Sequence, residues 1–124
     1  MPKADAASEL DEKQVASLEQ KLLEVRAALV ARRSGQLRAR TALLSEVEDE
    51  GDAASRAHNE DTLVSLAEAE HLRLAEVEHA LAKLDAGTYG VDEESGEPIG
   101  FARLSVLPWA RRAAHSQEDS ERRR

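Results

Sequence analysis

The sequence contains no cysteine, so neither a disulfide nor a thiolate metal site can form, and a reducing, cytoplasmic setting suits it. Aromatic residues make up only 2% of its 124 residues, too few for the thick core of a sandwich or barrel. No apolar run approaches the ~18 residues needed to cross a bilayer, and no secretory-type segment opens the chain, so no membrane partner is expected. Basic residues are in the minority, 17 Lys and Arg against 25 Asp and Glu, for a net charge of −8. Nucleic-acid binding rests on Lys and Arg displacing condensed counterions, so this balance points to a protein partner and no direct nucleic-acid contact.

What is present is mostly Ala, Leu, Glu and Arg in helical order. Val15, Leu18, Leu22, Val25 and Leu29 recur at steps of three and four, which places them on one stripe of a helix. The next place falls on Arg32, and the apolar set resumes at Leu37, Leu44 and Val47. Ser34 and Gly35 sit at this slip; a mild kink is compatible with them, and a full break is not required. The run Glu48-Asp49-Glu50-Gly51-Asp52 then reads as a short turn ending in an Asp52 N-cap. A second stripe follows at Leu63, Ala67, Glu70, Leu74, Val77, Leu81 and Leu84.

Two stripes joined by a short turn fold back on each other, so the expected fold is mainly α, a long antiparallel two-helix coiled-coil hairpin. Arms of ~30 residues or more, at 1.5 Å per residue, make a rod of roughly 45 to 55 Å. The hairpin is assigned to 10–86, with its tip at 48–54. Gly87 is placed to end the second helix in the left-handed conformation, and Thr88-Tyr89-Gly90-Val91 reads as a short strand. Ser95-Gly96-Glu97-Pro98 is a turn, and Ile99, Phe101, Leu104, Val106, Leu107 and Trp109 are candidates for a miniature core. The small module is assigned to 87–117, with 1–9 and 118–124 as flexible termini.

Candidate chemistry is sparse. His58, His71, His79 and His115 have no metal-ligand spacing, and no Ser, His and Asp set or nucleotide loop is present, so no enzyme is expected. Between Val25 and Ser45 stand Arg26, Arg32, Arg33, Arg38 and Arg40 with no acid, against Glu60, Asp61, Glu68, Glu70, Glu76 and Glu78 in the second arm. Pairing between the arms is favoured over a partner-binding basic stripe, with Glu70 meeting Arg38 or Arg40.

Leu84-Asp85-Ala86-Gly87-Thr88-Tyr89-Gly90-Val91, Gly96-Glu97-Pro98-Ile99-Gly100-Phe101-Ala102-Arg103-Leu104 and Pro108-Trp109-Ala110 together resemble the C-terminal knuckle of the DksA/TraR family. The resemblance extends over about residues 10 to 117. It implies a bacterial transcription regulator that binds RNA polymerase through the secondary channel, and a zinc-finger-like knuckle with a short β-hairpin and a short helix. The family usually carries four zinc-binding cysteines there. The matching positions are Asp92, Ser95, Ala113 and Ser116, a degenerate set for which no metal and no cofactor are expected. Structural zinc contributes roughly 10 kcal/mol or more to a small module, and four or more of the six apolar residues named above, with Tyr89, at about 1.5 to 3 kcal/mol each, are expected to stand in for it.

Asp49-Glu50-Gly51-Asp52-Ala53-Ala54 fits the family's D-x-x-D-x-A tip motif. The resemblance implies that Asp49, Asp52 and Ala54 act near the polymerase active centre; the plainer reading is that Asp52 only caps a helix. Some relatives respond to the alarmone ppGpp through basic residues, and the matching positions here are Glu76, Leu107 and Gln117, so ppGpp synergy is expected to be weak or absent. Two other functions stay open: a Gre-like transcript-cleavage factor, and a non-regulatory adaptor or structural coiled coil.

Overall fold

The computed structural model describes residues 2–46 and 53–114. Two long helices dominate, α1 over Glu12–Glu46 and α2 over Ala53–Ala86, and a short α3 covers Phe101–Val106. The start of α1 is fixed by a reciprocal cap: Gln14 N donates to Asp11 Oδ1 at 2.7 Å, and Asp11 N donates to Gln14 Oε1 at 3.1 Å. Through Gly35 the helix is continuous, and a Cβ there would meet nothing within 4 Å. The chain divides into two compact units, one of Met1–Val25 with Glu76–Arg124 and the other of Arg26–Ala75. The sequence-based division at 86/87 follows element type, whereas this one groups the ends of both long helices with the irregular segment.

Among the described residues of the unit Arg26–Ala75, few side chains are buried. Leu29 and Leu74 are buried, Gln36, Ala67 and Glu70 are half-buried, and Val30, Leu37, Leu66 and Leu72 face solvent, so Leu37 is not the stripe residue its spacing suggested and Gln36 takes the inner side instead; the side chains of Leu44, Val47 and Leu63 lie outside the description. Two helices can share only one stripe each, so the remaining apolar side chains have no second layer to enter. Glu70 Oε2 accepts from Gln36 Nε2 at 3.1 Å, and Arg32 Nη1 lies 3.9 Å from Glu70 Oε1. This corrects the expected pairing of Glu70 with Arg38, because α1 presents the earlier turn to Glu70; the side chain of Arg40, the other expected partner, lies outside the description.

The other unit has the deeper core. Val15, Leu18 and Leu22 from α1 and Val77, Ala80 and Leu84 from α2 are buried, together with Tyr89, Ile99, Leu104 and Ala113. A fully buried Leu or Val of this kind contributes about 1.5 to 3 kcal/mol. Val106, a candidate for the same core, is 75% exposed. It stands two residues after Leu104, hence about 200° around α3, and a six-residue helix can bury only one face. Phe101, Leu107 and Trp109 are half-buried. Lys21 of α1 donates from Nζ to the Ser105 carbonyl at 3.0 Å, which joins α1 to the last turn of α3.

The end of α2 explains how the N-terminal residues are held. Gly87 has φ 75°, and Thr88 N donates to the Lys83 carbonyl at 2.9 Å, the 6→1 bond of a helix stop. The next carbonyl, Leu84 O, accepts from Lys3 N at 2.8 Å. An orphan acceptor of the helix end is thus satisfied by a distant piece of chain. Asp5 N donates to Tyr89 O at 2.7 Å, and Ala4 makes a parallel bridge with Tyr89. Lys3, Ala4 and Asp5, within the 1–9 segment expected to be a flexible terminus, are therefore bonded to the end of α2 and to Tyr89 beyond it.

The expected strand at 88–91 is not formed among the described residues. What remains are two isolated bridges, Ala4 with Tyr89 and Val91 with Pro98. Gly90 at φ 94° turns the chain out of extended geometry beside the Val91–Pro98 bridge. Gly90 is also sterically fixed, because a Cβ there would lie 2.7 Å from Ser8 Cβ and 2.9 Å from Leu10 Cδ1. Gly90→Ala is expected to cost about 1 to 3 kcal/mol from positive-φ strain plus displacement of the N-terminal segment, read as a lower chemical-denaturation midpoint.

Candidate functional site

The two acidic tip positions, Asp49 and Asp52, lie outside the described residues. Ala54 falls in the first turn of α2, and its side chain also lies outside the description. Three of the four positions matched to zinc ligands are described, and the structure brings them together. Asp92 is 1% exposed. Its Oδ1 accepts from Glu94 N at 2.8 Å and Ser95 N at 3.0 Å, and its Oδ2 accepts from Ala113 N at 2.7 Å. Its backbone is engaged as well, with Asp92 N donating to Glu97 O at 2.7 Å and Gly96 N donating to Asp92 O at 2.8 Å. Hydrogen bonds to an ionised group contribute about 1.5 to 3 kcal/mol each, so a buried carboxylate with three N–H donors is well compensated.

Around this centre the segment 111–113 is stitched by main-chain contacts. Glu93 N donates to Arg111 O at 2.9 Å, and Arg103 Nε donates to Arg112 O at 3.0 Å. Tyr89 donates its hydroxyl proton to the Pro108 carbonyl at 2.7 Å, and burial pushes that hydroxyl above the ordinary tyrosine value, so it stays a donor.

A charged set ties the same segment to α2. Glu93 Oε1 lies 2.5 Å from His79 Nε2 and 3.3 Å from Lys83 Nζ, and Glu93 Oε2 lies 3.8 Å from Arg111 Nη1. Arg111 Nε donates to Glu76 Oε2 at 2.9 Å. Partial burial raises the Glu93 carboxyl, but the hydrogen bonds and positive charge of His79 and Lys83 together outweigh it and hold the group below the ordinary carboxylate value. Glu93 and Arg111 are each more than a third exposed, so these pairs are screened by water and orient the segment more than they stabilise it.

The protein from Pseudomonas aeruginosa whose structure is described as transcription factor DksA2 superposes on this chain with a TM-score of 0.84, at 35% identity, over 94% of this chain and 90% of that one. This chain belongs to the DksA family. The RNA polymerase-binding transcription factor DksA of Caulobacter vibrioides is 39% identical over 84 residues, which is 65% of this chain and 59% of that protein's length. The Dks protein of Chlamydia trachomatis, at 24% identity and a TM-score of 0.55, shares the fold over 91% of this chain. No family model matches the chain.

The zinc knuckle that the DksA/TraR resemblance implies needs four nitrogen or sulfur donors. Here Asp92 has both oxygens turned to backbone N–H groups, Ser95 Oγ accepts from Glu97 N at 3.3 Å, and Ala113 has no donor side chain. Ser116 lies outside the described residues. Among the described residues no group of three or more His, Cys, Asp or Glu is arranged to hold a metal ion. The residues present do not fit zinc.

Sequence reasoning placed Asp92 at a ligand position but missed its role as an acceptor. The available signal was Asp92-Glu93-Glu94-Ser95-Gly96, in which an Asp before turn residues favours bonds to the amides two and three positions on. The Glu76, Arg111, Glu93 and His79 set carries no local signal, because its partners lie 14 to 35 residues apart. Glu93 is lowered in the folded state, so its stabilising contribution is present above the ordinary carboxylate value and is lost as pH falls through the lower folded value. Thermal midpoints measured against pH should differ between wild type and Glu93→Gln near neutrality and converge in acid.

Proposed function

We propose that this chain is a bacterial transcription regulator that binds RNA polymerase and acts from the cytoplasm without catalysing a reaction. The observation that carries this is the superposition with DksA2, which extends over nine-tenths of both chains at 35% identity. The Caulobacter relative, named for polymerase binding, supports the same partner. In this reading the hairpin of 10–86 enters the secondary channel while the module of 87–117 stays outside. Two helices of 35 and 34 residues supply the reach, each about 50 Å long at 1.5 Å per residue.

Asp49, Asp52 and Ala54 are the proposed working residues, with the two carboxylates modulating initiation near the active centre. Asn caps a helix about as well as Asp but lacks the charge, so it separates capping from electrostatic action. A core-polymerase pull-down and an in vitro initiation assay with the Asp49→Asn, Asp52→Asn double variant should show binding retained and regulation lost. Loss of neither would reject the assignment of the tip, and failure of the wild type to bind polymerase would reject the function.

Response to ppGpp is proposed to be weak. Of the positions matched to basic contacts in responsive relatives, Glu76 is an acid paired to Arg111, and Leu107 is apolar. A tetraphosphate is repelled by the first and gains nothing from the second. Adding ppGpp to the same initiation assay should change the effect of the protein by less than about fivefold, the limit set by an exposed charge pair of about 1 kcal/mol.

A further inference from the structure

We infer that the Asp92 carboxylate does for this knuckle what a metal ion does in a four-cysteine one: it is the cross-link that closes the module. A structural metal at these positions gathers a first ligand pair, at 92 and 95, and a second pair, at 113 and 116, onto one centre. Asp92 joins the same two stretches of chain without a metal. Oδ1 holds the turn at Glu94 and Ser95, and Oδ2 reaches across 21 residues to the amide of Ala113.

The neighbouring residue types follow from that role. The contact at 113 is made by the backbone N–H, so no donor side chain is required there, and an alanine that is only 4% exposed fills the space. At 95 the amide is what Asp92 uses, and the hydroxyl is left to brace the turn through Glu97 N. The carboxylate is 1% exposed, so water does not compete for its lone pairs. Asparagine cannot replace it, because its amide NH2 would point a donor at a donor, at Glu94 and Ser95 or at Ala113. The two devices are thus alternatives for one position: a negative side chain that collects N–H groups, or thiolates that collect a cation.

The test uses the full chain and amide hydrogen exchange read residue by residue. In the wild type, the Glu94, Ser95 and Ala113 amides should exchange slowly and at the same rate with and without EDTA. In Asp92→Asn they should exchange at least about tenfold faster, the factor expected for losing one charge-assisted bond. A quadruple variant, Asp92→Cys with Ser95→Cys, Ala113→Cys and Ser116→Cys, should bind one zinc ion, recover slow exchange at these amides, and lose it on chelation. That rescue distinguishes a replaceable cross-link from a residue that merely packs, and it decides the matter even if Asp92→Asn does not fold. Wild-type protection that EDTA abolishes, unchanged exchange in a folded Asp92→Asn chain, or a quadruple variant that binds no zinc or gains no protection from it would each overturn the inference.

Discussion

A carboxylate cut off from water is costly unless its lone pairs are occupied, and the segment 92–113 is arranged so that Asp92 meets that condition. Three amide donors converge on it from two stretches of chain that make little other regular structure. Once the segment is closed, Tyr89 and Leu104 are shut away from solvent, and Ile99 and Ala113 nearly so. With the core in place, Leu84 and Tyr89 present carbonyls to Lys3 and Asp5, and Ser8 and Leu10 pack against Gly90. Helix end, N-terminal segment and irregular loop are therefore interdependent, and the carboxylate is the group with the fewest substitutes.

The apolar account of a metal-free knuckle is only part of the answer. Four or more of six bulky residues after Pro98, with Tyr89, were expected to stand in for zinc; of these Tyr89, Ile99 and Leu104 are buried, and Val106 is turned outward. A module this short cannot enclose six large side chains, because each must have neighbours on every side to be dry. Polar cross-links supply what that small core does not. Tyr89 contributes twice, by filling the interior and by donating to Pro108 O.

The unit of Arg26–Ala75 follows a different rule. Among its described residues Leu29 and Leu74 are buried, and the polar contact at Glu70 is met by Gln36 and Arg32. A two-helix seam buries little per residue, so helix propensity and continuity matter more in it than packing depth. Ala-rich, Leu-rich and Glu-rich composition supplies that propensity, and the absence of proline from both long helices preserves it.

The amino-acid sequence alone determined the two long helices, the buried stripe residues Val15, Leu18, Leu22, Leu29, Leu74, Val77 and Leu84, and the stop at Gly87, because periodicity, charge placement and a left-handed glycine are local properties written at spacings of one to seven residues. The family resemblance was legible for the same reason, in the contiguous knuckle segments. Tertiary structure decided the rest. Which residue faces Glu70, where Lys3 and Asp5 are held, and that Asp92 reaches Ala113 all depend on groups 21 or more residues apart. Such contacts form only when the chain has already been brought together, so no spacing in the sequence encodes them.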